Sequence, residues 1–219
     1  MGTKALLVET RPTGHGRARG LVSTRSSGRR VESRTWAAPD DLADVVAALW
    51  TARWDLRGEP AHTTLLLSDP CLNFAFEEGG AHAGNRLVGV WTRLWRRTLE
   101  DRGRVRAVKL RPGAARAFVD IPAFRTVNRI IPLSAAFDDA ADIERAVLAP
   151  AADEEALAML AAWLRVHRRA DEGGQTSLAV AIVSRIASDP EITDVERLAA
   201  VAGLGPRALQ RLFREHVGA

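Results

Sequence analysis

The stretch TDVERLAAVAGLGPRALQRLFREHV, residues 193–217, decides how the chain is read. Thr193 and Glu196 stand at the spacing of a capping box, in which a hydroxyl and a carboxylate satisfy each other's free backbone donors. A helix is expected to start there, with Val195, Leu198, Ala199 and Ala202 on its inner face. Gly203 follows where the chain must turn, and glycine tolerates the left-handed conformation used at helix ends. Leu204 can plug the angle between the two helices. Gly205 then precedes Pro206, and proline suits the first position of a new helix. That second helix is expected from Pro206 to about Val217. Leu209, Leu212 and Phe213 share one face, while Arg207, Gln210, Arg211 and Arg214 lie mostly on the other. Small Ala199, four residues before Gly203, leaves room for the helices to approach. The arrangement is that of a helix-turn-helix.

The outward residues point to a chemistry. Arg pairs with guanine O6 and N7, and Gln pairs with adenine N6 and N7. Arg also neutralises phosphates. Base edges are usually met near the start of a reading helix. Gln210 and Arg211 are therefore the expected base readers, with Arg207 and Arg214 serving bases or backbone. Thr193 is expected to serve the phosphate backbone through the exposed helix start. A generic helical hairpin with a solvated Arg face is the plainer alternative. The joint fit of cap, small residue, glycine turn, apolar spacing and basic outer face favours DNA.

Working outward, helical signals continue upstream. Leu157, Leu160, Ala161 and Leu164 form one apolar stripe, and Leu178, Ile182 and Ile186 form another. Gly173-Gly174 separates them, and Ser188-Asp189-Pro190 ends the second. Pro150 to Glu155 is polar and opens with proline, which suggests a domain boundary. Before it, short apolar runs (Thr63 to Leu67, Leu72 to Phe76, Leu87 to Trp91, Val105 to Leu110) alternate with turn signals. That spacing suggests a small β-barrel or sandwich. Leu133 to Phe137 and Ile143 to Leu148 look like a further linker and helix. Leu42, Val45, Val46, Leu49 and Trp50 recur at helical steps, with Pro39, Asp40 and Asp41 suited to a first turn.

The chain of 219 residues carries a net charge of +4, but the first 34 residues hold eight Lys/Arg and two Glu. The excess of basic charge lies in that segment, which is punctuated by Gly, Pro and Ser and lacks periodicity. It is expected to be a disordered, solvated tail with at most non-specific nucleic-acid contact. The expected fold class is α+β. It divides into a tail (1–34), a small β-barrel or sandwich with flanking helices (35–150) and a helical region (151–219). A single cysteine, Cys71, rules out an internal disulfide framework. No stretch approaches the roughly 18 apolar residues of a membrane span. The expectation is a soluble, cytoplasmic protein with no membrane partner.

The run Leu198 to Phe213, with its Leu-Gln-Arg-Leu-Phe core followed by Val217-Gly218, closely resembles the first helix-turn-helix of AraC-type transcription regulators. The helix at Leu178 to Ile186 resembles the one preceding it there. Asp69-Pro70-Cys71-Leu72-Asn73-Phe74, Val88-Gly89-Val90 and Val108-Lys109-Leu110-Arg111-Pro112-Gly113 resemble a cupin-like sensor domain found before such regulators. The resemblance spans about Arg34 to Ala219. It implies an effector or dimerisation domain ahead of a DNA-binding domain. The family normally carries two helix-turn-helix units joined by a long helix, and the sequence stops after the first. A second reading is therefore a ligand-binding or dimerisation module without independent DNA binding. The partners expected are double-stranded DNA, a small-molecule effector and a second copy of the chain.

Enzyme chemistry finds little support. His15, His62, His82, His167 and His216 lack metal-ligand spacing, and the His-x-His of metal-binding cupins is absent, so no metal or other cofactor is expected. Cys71 precedes an apolar run and reads as a small core residue. Asp69, Glu77 and Glu78 read as solvated loop carboxylates, so no catalytic residue is assigned. No Gly-rich phosphate loop follows a strand. Among the tryptophans, Trp91 and Trp95 are the candidates to line a ligand pocket, with core packing as the plainer reading.

Overall fold

Val46 and Leu49 are three residues apart and both buried, yet they lie in a strand. The computed structural model describes residues 31–219 and the two-residue strand Leu21–Val22. In it the helix expected over residues 42–50 is replaced by a 3-10 turn, Asp40–Leu42, and a long strand, Val46–Asp55. The physical reason is a β-bulge. Val46 faces Leu110 and Ala48 faces Lys109, so two steps on one strand match one on its partner. The extra residue turns a two-residue alternation into an apparent helical step. Val46, Trp50 and Trp54 also favour a pleated surface.

The strands are β1 (Leu21–Val22), β2 (Val31–Trp36), β3 (Val46–Asp55), β4 (His62–Leu66), β5 (Asn73–Glu78), β6 (Gly84–Val88), β7 (Trp95–Leu99), β8 (Arg102–Leu110) and β9 (Ile130–Pro132). They form an antiparallel six-stranded sheet, β2-β3-β8-β5-β6-β9, and a three-stranded sheet, β1-β4-β7. Neither closes into a barrel, so the barrel form of the expectation is corrected to two open sheets. Of the expected disordered tail, Leu21–Val22 pairs with β4 and residues 31–34 open β2. The rest of that tail lies outside the described residues.

The larger sheet is covered on both faces. One face carries Leu49, Phe74, Phe76, Leu87, Val108 and Leu110. Helices α1 (Ala140–Leu148) and α2 (Asp153–His167) pack there through Ile143, Val147, Leu157, Leu160 and Leu164. Trp163 meets Phe137 and Phe74 edge-on, at 4.6 and 6.2 Å between ring centroids. The other face carries Trp54, Ala75, Val105 and Ala107, against which Leu99 of β7 packs. The long central strands are thus buried by alternation, one set of side chains to each face.

Asp153, at the start of α2, ties the helix to the sheet. It is buried and meets Arg106 of β8 at 3.0 Å, Arg53 of β3 at 2.7 Å and the Thr51 hydroxyl at 3.2 Å. Arg106 is fully buried and also donates to the carbonyls of Val147 and Ala151. Burial works against the Asp153 carboxylate, but Arg53 and Arg106 outweigh it and hold its pKa below the usual aspartate value. Helix α2 thus belongs to the core of the larger sheet, on which Val180 of α3 (Gln175–Ser188) also packs. Helix α3 also contributes Ala179 and Ile182 to a second apolar cluster.

Candidate nucleic-acid interface

The last three helices are α3, α4 (Val195–Val201) and α5 (Pro206–His216). Asp171 accepts from the backbone N–H groups of Thr176 and Ser177, at 2.9 and 2.8 Å, and so caps α3. The cap of α4 is one residue later than expected. Asp194 accepts from Arg197 N at 2.7 Å, whereas Thr193 makes no capping bond. A carboxylate is the stronger acceptor and carries charge favoured at a helix start. Val195 consequently faces solvent, and Leu198 and Ala199 alone supply the fully buried side of α4.

The turn between α4 and α5 follows the expected course. Gly203 has φ +64°, Leu204 N–H reaches the Ala199 carbonyl at 2.9 Å, and Gly203 N–H reaches that of Ala200 at 3.1 Å. These two bonds form a Schellman motif, which needs a left-handed residue at Gly203. Pro206 then occupies the first turn of α5. Leu209 and Leu212 pack with Ala179, Ile182, Leu198 and Ala199 in one cluster, with Phe213 and Leu204 at its edge.

Opposite that cluster, Arg207, Gln210, Arg211 and Arg214 are all exposed. Their spacing of three, four and seven places them along one stripe of α5. Arg207, Gln210 and Arg211 make no ion pair or hydrogen bond with the described residues. Arg214 differs: its guanidinium lies 4.3 Å from the centroid of the Phe124 ring. Thr193 is exposed, before α4 and outside the stripe.

The end of α5 is anchored on the segment after β8. His216 is buried beside the Gly113 backbone, while its Nδ1 has no partner among the described residues. Burial first, and nearby Arg116 second, lower its pKa below the usual histidine value. Gly218 packs against Ala123 and Val127, and Gly113 against Ala179 and Val180. Sequence periodicity could not reveal this docking, because the partners are turns with no repeating pattern.

The other candidates fall elsewhere. Trp91 and Trp95 do come together, with ring centroids 5.0 Å apart and planes tilted by 38°. Cys71 is buried, and its thiol is pushed up by burial. Glu77 is not a solvated loop carboxylate but a buried residue of β5, bonded to Arg86 and Arg97. Glu78 pairs with Arg104, and Asp69 with Lys109. His82 lends its carbonyl to Arg86. Among the described residues no group of three or more His, Cys, Asp or Glu gathers as a metal site would require. Nor, among them, is any helix long and apolar enough to cross a membrane.

Comparison with known proteins identifies no curated protein and no solved structure that matches the chain. The family model of a domain of unknown function, DUF6597, matches residues 34–132, which run from β2 to the end of β9.

Proposed function

We propose that this chain is a sequence-specific DNA-binding transcription regulator of AraC type. Helix α5 reads the major groove, under the control of the β-rich unit ahead of it. The observation that carries the reading is the stripe Arg207, Gln210, Arg211 and Arg214, exposed along α5 while Leu209 and Leu212 hold its opposite side. The α4–turn–α5 unit has the two short helices and glycine turn of a helix-turn-helix. Gln210 and Arg211 take base edges, and Arg207 and Arg214 take bases or phosphates. Thr193 serves the backbone at the start of α4. A second copy of the chain would set two α5 helices one helical turn of DNA apart.

Titration of labelled duplex pools with the full chain, at several salt concentrations, tests the reading. Binding that weakens steeply with salt and enriches one sequence supports it. No binding to any duplex at low salt sinks it.

A second reading is a ligand-binding or dimerisation module without independent DNA binding. The docking of Arg214 on Phe124 and of Gly218 on Ala123 favours it, because part of α5 is then already engaged within the chain. A stable oligomer or a ligand-dependent melting shift, with no duplex affinity, is its signature.

A further inference from the structure

The two sheets enclose a charge imbalance. β7 alternates so that Trp95, Arg97 and Leu99 turn toward the larger sheet, while Arg96 and Thr98 face outward. From the larger sheet, Glu77 and Arg86 turn back toward them. The side chains of Glu77, Arg86 and Arg97 are 1%, 8% and 11% exposed. Both guanidiniums donate to the same oxygen, Glu77 Oε2. The nearby Lys109 is matched by Asp69. Among the described residues, two buried cations thus share one carboxylate.

Burying a charge without a counter-charge is expensive, and burial indeed lowers the Arg97 pKa, opposed by Glu77. Arg97 Nε–H is also buried, with no acceptor among the described residues. Arg97 also lies over the Trp54 ring, 5.8 Å from its centroid, but a ring is not a counter-charge, so among the described residues one carboxylate leaves a second positive charge and this donor unmatched.

A separate observation lies beside it. Trp95, two residues before Arg97 on the same side of β7, packs against Trp91. The Trp91 Nε1–H is a second buried donor with no acceptor among the described residues. A flat indole surface therefore adjoins a guanidinium that, among the described residues, shares its carboxylate with a second cation, and each carries an N–H without an acceptor there. Indole faces suit an aromatic ring, and a guanidinium suits a carboxylate.

We infer that the junction of β7 with the larger sheet binds a small aromatic carboxylate, its carboxylate on Arg97 and its ring against Trp91 and Trp95. This rests on the sensor half of the function proposed above and names the chemical class of the effector.

The test uses the full chain at fixed ionic strength, with phenylacetate, acetate and phenylacetamide as probes. Melting temperature and tryptophan emission are read against probe concentration. Phenylacetate is expected to raise the one and shift the other saturably. Acetate lacks the ring and phenylacetamide lacks the charge, and each should bind roughly tenfold or more weakly. Arg97→Gln should abolish the preference for carboxylate over amide. Glu77→Gln removes the competing carboxylate, so it should bind phenylacetate more tightly even if its unliganded melting point falls. A structural ion cluster would lose stability in Glu77→Gln and gain nothing from the anion. Equal responses to all three probes, or no response to phenylacetate in the native chain and in Glu77→Gln, would overturn the inference. Duplex titration is read separately. DNA binding without a phenylacetate response sinks only the site, and the converse sinks only the DNA reading.

Discussion

Arg214 of α5 stacks on Phe124, 4.3 Å from the ring centroid, so a candidate DNA-contacting side chain is held by the β-rich unit. A cation–π contact at an exposed position is worth about 0.5–1 kcal/mol. A double-mutant cycle over Arg214→Ala and Phe124→Ala, followed by urea unfolding, should return a coupling of that size. If Arg214 also contacts DNA, Phe124→Ala frees it. Duplex affinity should then rise roughly two- to fivefold. Unchanged or weaker binding would show that the stack does not compete with DNA.

Gln210 and Arg207 should fail differently when removed. Gln210→Ala is expected to relax sequence preference at one base pair by about 1–3 kcal/mol. An Arg that contacts phosphate should instead weaken all sequences evenly and reduce the salt slope by about 1. Selection from a randomised duplex library, with salt titrations of Arg207→Ala, Arg211→Ala and Arg214→Ala, separates the two roles. A stripe that is merely solvated would show neither effect.

Removing Asp153 leaves the buried Arg106 without its charge partner. Asp153→Ala should cost roughly 3–5 kcal/mol in urea unfolding, the usual penalty for breaking a buried pair. The Asp153 pKa is depressed in the folded chain, so its contribution is present above the unfolded aspartate value and lost as pH falls through the folded one. The native chain should therefore lose stability below about pH 4 more steeply than the variant.

His216 gives a second pH dependence in a different window. It is buried against Gly113, with Arg116, Asp171 and Glu215 as its charged neighbours, and its pKa is lowered. A depressed histidine contributes stability above its unfolded value near ~6.5, which is lost as pH falls through the folded value. Melting curves of the native chain should therefore fall between neutral pH and about pH 5. His216→Gln should flatten that slope. An identical slope in both would show that His216 does not titrate with unfolding.

Gly203→Ala probes the turn itself. A Cβ there would touch nothing within 4 Å, so the cost comes from the backbone alone. At φ +64° that cost is about 1–2 kcal/mol. Asn, which tolerates the left-handed region, should recover much of it. Hydrogen exchange should place the loss in α4 and α5 rather than in the sheets.

The local chemistry of the turns was readable from the sequence because it is written in neighbouring residues. Gly203, Gly205 and Pro206 do what their backbones allow, and Leu157, Leu160 and Leu164 keep the helical period through to the core. Errors arose where a local rule met a competing one. The bulge at Val46/Ala48 imitated a helix, and Asp194 displaced Thr193 as the better cap. Glu77, Arg86 and Arg97 were illegible for another reason. They lie on three strands, and their pairing leaves no periodic trace in the chain. The one available hint was arginine at inward positions of strands, where an unpaired charge would not be tolerated.

The order β2-β3-β8-β5-β6-β9 places β8, made late, between β3 and β5, made early. During synthesis the ribosome therefore releases β3 and β5 with open edges, and neither finds its central neighbour until Leu110 has emerged. Arg106 then waits a further stretch of translation for Asp153. At about 5–20 residues per second that interval lasts seconds, long enough for exposed strand edges to meet other chains. The nascent protein is thus most in need of chaperone cover between the emergence of β5 and that of α2.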